Sequence, residues 1–440
     1  MLRLSALWIS LRSSLWFIPS IIVVGSMLAA DGLVEAGARI PALSQAQLPR
    51  IFGFGAEGSR AMLSAIATSM ITIAGVAFSI TIVALSLASS QYSPRVLRQF
   101  MRDRANQGVL GIFVGVFAFC LTLLPRIRGG DAHAFVPALA VACGVVYALV
   151  GVGCLIFFIH HVATSIQVSC IVADIAAETR RAADHVFPAE PASSNPTRSP
   201  LPDSDWHPVL APASGYIQLI DERALLRAAV KHDLVIRSEL PIGEFVVASA
   251  PLLVVAGTNA ADPEALRDLK SAITLSRAQT VEQDVLFGMR QIVDVALRAL
   301  SPSLNDPTTG ALCIEYLTTI LQPLVSRPLG DAVHCVEKRP RVHVRRPDFA
   351  ALLDHTFGEI RVHAGSELLV YEALLRGLSL LAEAAVDPAR RAVLAQEASE
   401  VRASIIAHLP LPRSTVLRTR AQALVIALNA PGATALVSSA

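Results

Sequence analysis

Charge is scarce in this sequence. Only 16% of its residues are Asp, Glu, Lys or Arg, against about 25% in soluble domains. The net charge of +2 gives no global case for nucleic-acid binding. The six cysteines, Cys120, Cys143, Cys154, Cys170, Cys313 and Cys335, form no CxxC pair and no Cys/His cluster with zinc spacing. No metal and no cofactor is therefore expected. Cys120, Cys143 and Cys154 lie in apolar stretches as free thiols. The other three fit a reducing compartment. Walker, GxGxxG, HExxH and GxSxG motifs are missing as well, so no nucleophile–base grouping or catalytic residue emerges.

Long apolar runs are present instead. The mean hydropathy of +0.54 is far above that of a soluble domain. Uncharged runs occupy Ser13 to Ala30, Ala61 to Pro94, Ala105 to Pro125 and Ala134 to Ile159. About 20 apolar residues cross a bilayer core, so four spans are expected, at about 13–30, 62–92, 106–125 and 134–159. Met27-Leu28-Ala29-Ala30 is a poor cleavage site, so the first run reads as a retained helix. Leu4, Leu7, Trp8, Leu11 and Leu15 recur at helical spacing ahead of it, as in a short interfacial helix.

Arginine counts orient the spans. With both termini cytoplasmic, eight arginines fall inside and five outside. Arg95, Arg98, Arg102 and Arg104 carry most of that bias. Their ordinary role is to set topology and contact anionic lipid. Anion attraction at the mouth of a pore is the other reading. The lipid bilayer is the expected partner and the bacterial inner membrane the expected location.

The second run is not simply apolar. It holds ten Ser and Thr residues. With 100° per residue and Thr68 at zero, seven of them fall within 40° of Thr68, where chance would place about three. They are Ser64, Thr68, Thr72, Ser79, Ser86, Ser90 and Ser93, with Gly75 on the same arc. Two readings stand. The stripe packs against another span of its own subunit, where small residues allow close approach and hydroxyls bond across. Alternatively it lines a polar path among copies of itself. The third and fourth runs look like packing helices, with Gly108, Gly111 and Gly115 on one and Ala140, Gly144 and Ala148 on the other. The four runs hold no Asp, Glu, Lys, Arg or His, which counts against an ion-driven pump but not against a passive pore.

Helical character continues past His160 to about Val186. A Pro-rich linker then spans 188–208. The expected organisation is a membrane domain at 1–187 and a cytosolic α+β domain at 209–440. Strands are expected at Tyr216–Ile220, Leu234–Arg237, Glu244–Val255 and Arg341–Arg346. The intervening and later stretches read as helices, among them Val281–Leu300, Thr309–Leu324 and Phe349–His363.

Within that domain, Phe287 to Gly310 reads FGMRQIVDVALRALSPSLNDPTTG. Asp284, Arg290, Asp294 and Arg298 interleave with apolar residues on its helix. Arg290, Asp294 and Arg298 are spaced four apart, which lets the one carboxylate meet two guanidiniums. Asn305-Asp306-Pro307 makes an Asx-type turn, with Asp306 capping a helix that continues through Thr308 and Thr309. The turn holds two helices together, or its exposed hydroxyls receive a small anionic ligand.

Phe78 to Gly111, Phe287 to Gly310, SGYIQLID (Ser214 to Asp221) and WFIPS (Trp16 to Ser20) together resemble the bacterial predicted-membrane-protein family called domain of unknown function 2254. The resemblance covers nearly the whole chain and implies a membrane part followed by a soluble part. It supplies no activity and no catalytic residue. A homo-oligomeric channel with a cytosolic gate or sensor for a small ligand or ion is one expectation. A non-conducting scaffold or signal sensor, and a membrane-anchored enzyme, are the alternatives.

Overall fold

The computed structural model describes residues 16–39, 55–91, 103–128, 135–165, 167–189, 205–337 and 339–430. The chain forms two compact units, Met1–Gln167 and Val168–Ala440.

The first unit consists of four long apolar helices among the described residues: α1 (Phe17–Arg39), α2 (Ala56–Gln91), α3 (Arg104–Leu123, with a short 3₁₀ turn to Arg126) and α4 (Ala138–Ser165). Each is long and apolar enough to cross a membrane. A helix therefore lies at each of the four expected spans, but the helices run past the uncharged cores. Asp31, Glu57, Arg60, Arg104, His160 and His161 all lie within helices, near their ends. Asp31 pairs with Arg126 at 2.9 Å, and Asp103, which caps α3, pairs with His161 at 2.5 Å.

α3 is the central helix, and small residues explain how it is reached. A Cβ on Gly111 would stand 3.0 Å from the Pro19 backbone, and one on Gly115 would stand 2.8 Å from Ser26 Oγ. These two glycines seat α1, as GxxxG spacing leads one to expect. Gly108 has no neighbour within 4 Å of a Cβ position and takes no part. Gly144 of α4 meets Leu63 and Phe119 in the same way. Tyr147 and Ser26 share a hydrogen bond of 2.9 Å across the bundle.

The second unit is α+β. It opens with α5 (Val168–Val186) and continues through β1 (His207–Leu210), β2 (Gly215–Ile220), α6 (Glu222–Lys231), β3 (Val235–Ser238), β4 (Phe245–Val246), β5 (Pro251–Ala256), α7 (Pro263–Ser271) and β6 (Ile273–Ser276). Then come α8 (Val285–Ala299), α9 (Pro307–Leu324), β7 (Ala332–Val336), β8 (Arg339–Val344), α10 (Phe349–Leu353), α11 (Glu359–His363), α12 (Leu368–Ala384), α13 (Pro388–His408) and α14 (Thr415–Asn429). One sheet has the order β1-β5-β3-β8-β7, antiparallel except for β3 against β8. The other has the order β4-β2-β6. Leu225, Leu234, Ile236, Leu253 and Val342 lie in the apolar core beneath them.

Several sequence expectations need correction. α5 packs on α8 and α9, so it belongs to the second unit and not to the membrane part. β1 begins at the end of the stretch read as linker. Glu244–Val255 is two strands in different sheets, because the chain turns back between them with Ser249 at φ +67°. Phe349–His363 is interrupted by a π-helical turn at Asp354–Gly358, where the Thr356 hydroxyl donates to Leu352 O at 2.7 Å. The interfacial helix expected before residue 13 lies outside the described residues.

Candidate functional site

The face of α2 buried against its neighbours is an alanine-rich seam. Leu63, Ala67, Met70, Ala74, Ala77, Thr81 and Ala84 follow one another at alternating steps of four and three, and all are buried. Small side chains at these positions let α2 lie close to α3 and α4. This seam is turned roughly 160° away from Thr68 on the helix.

The hydroxyl stripe therefore faces the other way. Ser64, Thr68, Thr72, Gly75, Ser79 and Ser86 are exposed. A Cβ on Gly75 would meet nothing within 4 Å, and Ile82 on the same arc is 48% exposed. The expected contact between the stripe and the other spans of its own subunit is not formed among the described residues. The alanine seam takes that place. Ser90 belongs to α2 by its backbone, while Ser93, Arg95, Arg98 and Arg102 lie outside the described residues.

The hydroxyls on this face differ in what they leave free. Thr68 Oγ1 donates to Ser64 O at 2.9 Å, and Thr72 Oγ1 donates to Thr68 O at 2.8 Å. Each spends its proton on its own helix and keeps its lone pairs outward. At Thr68 and Thr72 the exposed stripe thus presents hydrogen-bond acceptors without any fixed charge.

At one end of α3, Arg104 follows the capping Asp103, whose carboxylate also accepts from Ala105 N at 2.9 Å. His161 stacks on Phe157 as it meets Asp103. His160 and His161 do not converge on a metal. No group of three or more His, Cys, Asp or Glu that could hold one occurs among the described residues. Asn106, in the first turn of α3, is 3% exposed, and its amide has no hydrogen-bond partner among the described residues. Sequence reasoning passed over it because Asn106 falls at the polar start of the run.

In the second unit the motif from Phe287 to Gly310 takes in nearly all of α8, the turn that follows it and the first turn of α9. Asp284 does not lie inside a helix with Arg290. It caps α8, accepting from Phe287 N at 2.8 Å. Arg290 meets Asp294 at 2.9 Å and also Glu359 of α11, which no four-residue spacing could reveal. Arg298 sits on the last turn of α8, where its carbonyl accepts from the Ser301 hydroxyl at 2.6 Å. Asn305 adopts φ +47° and Asp306 caps α9, with Pro307 in the first turn. Asp306 accepts from Thr309 N at 3.1 Å and from the Thr309 hydroxyl at 2.6 Å. Thr308 is exposed beside it. The expected capped turn is formed, and the Thr309 hydroxyl is spent on the cap.

What the motif holds is α5. A Cβ on Gly288 would fall 2.2 Å from Thr179 Oγ1, so the α8 backbone gives α5 its seat. The far end of α5 is gripped by two arginines. Arg346 donates to Val186 O at 2.6 Å, and Arg327 donates to Phe187 O at 2.9 Å while pairing with Asp184 at 2.8 Å. Positive charge at a helix C-terminus opposes its negative dipole end. Glu222 joins Arg346 to His334, the latter at 2.6 Å. Burial works against the Glu222 carboxylate, but His334 and Arg346 outweigh it and hold its pKa below the ordinary value.

The family model described as predicted membrane protein (DUF2254) matches residues 12–379. An uncharacterised protein of Mycobacterium bovis is 35% identical over 411 residues, covering 90% of this chain and 77% of that protein. An uncharacterised protein of Mycobacterium tuberculosis shows the same identity and coverage. No solved structure matches the chain.

Proposed function

Because the chain belongs to the predicted membrane protein family DUF2254, we propose that it is a multi-pass protein of the bacterial inner membrane that works as a homo-oligomer. Copies of α2 bring their hydroxyl faces together around a polar path for a small ion or solute. The second unit lies in the cytoplasm and gates or senses for that path. One observation carries this reading: the stripe is exposed on the single chain while the opposite face of the same helix is buried. Lipid offers hydroxyls no partner, so such a face gains by meeting a polar surface or water. Outward lone pairs on Thr68 and Thr72 suit a cation or a hydrogen-bond donor better than an anion.

A non-conducting scaffold or signal sensor is the second reading. The bonds of Thr68 and Thr72 favour it, because hydroxyls satisfied within their own helix can pack dry against a second copy.

Planar-bilayer recording separates the two. The purified protein is expected to give discrete currents, and Ser79→Leu or Ser86→Leu is expected to cut unitary conductance several-fold by narrowing and drying the path. Silent bilayers with an oligomeric particle would favour the scaffold. Currents that neither substitution changes would remove the stripe from the path.

A further inference from the structure

Two acidic side chains of the second unit, Asp284 and Glu397, are buried. Glu397 meets Arg361. Asp284 meets no basic side chain among the described residues, and its carboxyl is held by one backbone N–H, from Phe287 to Oδ1. Oδ2 instead faces Gly243. That glycine has φ +90°, and a Cβ there would stand 2.0 Å from Oδ2. Only glycine allows both the left-handed backbone and this approach. Gly243 is fixed from behind as well. Its N–H donates to Ile217 O at 2.9 Å, and its carbonyl accepts from Gln279 Nε2 at 2.8 Å. The turn before β4 is thus pressed onto the carboxyl group that starts α8. One helical turn on, Gly288 seats Thr179 of α5, the helix that follows the fourth span in sequence.

We propose that Asp284 is a proton-operated latch: protonated, it holds the Pro241–Glu244 turn against the first turn of α8, and ionised, it loosens both that turn and the seat of α5. The proton comes from bulk water and resides on Oδ2. A neutral carboxyl costs far less to bury in this site than a carboxylate, which is left beside an apolar Cα–H with no basic side chain to meet it among the described residues. Glu244, on the turn itself, is the charged group that faces it and disfavours a second negative charge. The Phe287 N–H and the helix N-terminus favour ionisation. Burial outweighs them and pushes the Asp284 pKa up to about 7. The group therefore changes state within the range of a bacterial cytoplasm.

Hydrogen exchange on the full-length protein in lipid nanodiscs tests this, after correction for the intrinsic pH dependence of exchange. Amides at 241–246 and 285–290 are expected to be protected about tenfold less at pH 8 than at pH 6, as a carboxyl near pKa 7 that opens to an ordinary one requires. Asp284→Asn and Asp284→Ser both retain a capping oxygen. Either is expected to show equal protection at the two pH values. Wild-type protein with the same protection at both, or a pH step that survives both substitutions, overturns the latch.

Discussion

Arg361→Ala is expected to destabilise the second unit by about 3–5 kcal/mol, the usual cost of removing one partner of a buried ion pair. Arg361 bridges α11 to α13. Its guanidinium donates to Glu397 at 2.9 Å and also meets Glu400. The Arg361 side chain is 13% exposed and that of Glu397 8%, so solvent cannot replace the lost charge. Burial already pushes the Glu397 pKa above its ordinary value, with Arg361 opposing the rise. Without Arg361 the carboxyl group rises further. A group whose folded pKa is raised contributes stability at low pH and loses it as pH climbs through that folded value. The deficit of the variant is therefore expected to be largest at neutral pH and to shrink toward pH 4. Denaturant unfolding at two pH values reads both effects, and a variant as stable as wild type at pH 7 would show the pair to be solvated.

Asp284→Asn is expected to act in the opposite direction. The folded pKa of about 7 lies above the ordinary 3.8. Wild-type stability is therefore full below pH 4, declines between about pH 4 and 7, and stays low above. The difference corresponds to about 4 kcal/mol at pH 8. Asparagine caps a helix nearly as well as aspartate and carries no charge. The variant is expected to exceed wild type at pH 8, to approach it near pH 4, and to show a nearly flat profile between. Equal stability across that range would mean that the carboxylate finds solvent in the folded protein.

The architecture was legible where a local rule governs. Four uncharged runs became four helices, and Asp306 with Pro307 capped α9 because both act within one turn. Gly111 and Gly115 packed as their spacing implies. The stripe on α2 was legible as an arc but not in its direction. Hydroxyl and alanine faces both serve helix packing, and a single sequence does not say which one the subunit uses. Ala67, Ala74 and Ala77 took the internal contact, leaving Thr68 and Ser79 outside. The sequence pattern misled at Asp284, which reads as part of one helix with Arg290 but stands at the cap, before that helix begins. Its meeting with Gly243, like that of Arg290 with Glu359, joins separate elements and leaves no periodic trace.

Chain-to-chain cross-linking along α2 tests the oligomeric reading most directly. In a cysteine-free background, Ser79→Cys and Ser86→Cys would be treated in native membranes with a short bismaleimide. Leu149→Cys, on the exposed face of α4, serves as the control. If copies of α2 face one another, both stripe positions give cross-linked dimers and the control stays monomeric. Monomers at both stripe positions, or equal cross-linking from Leu149→Cys, would contradict the account.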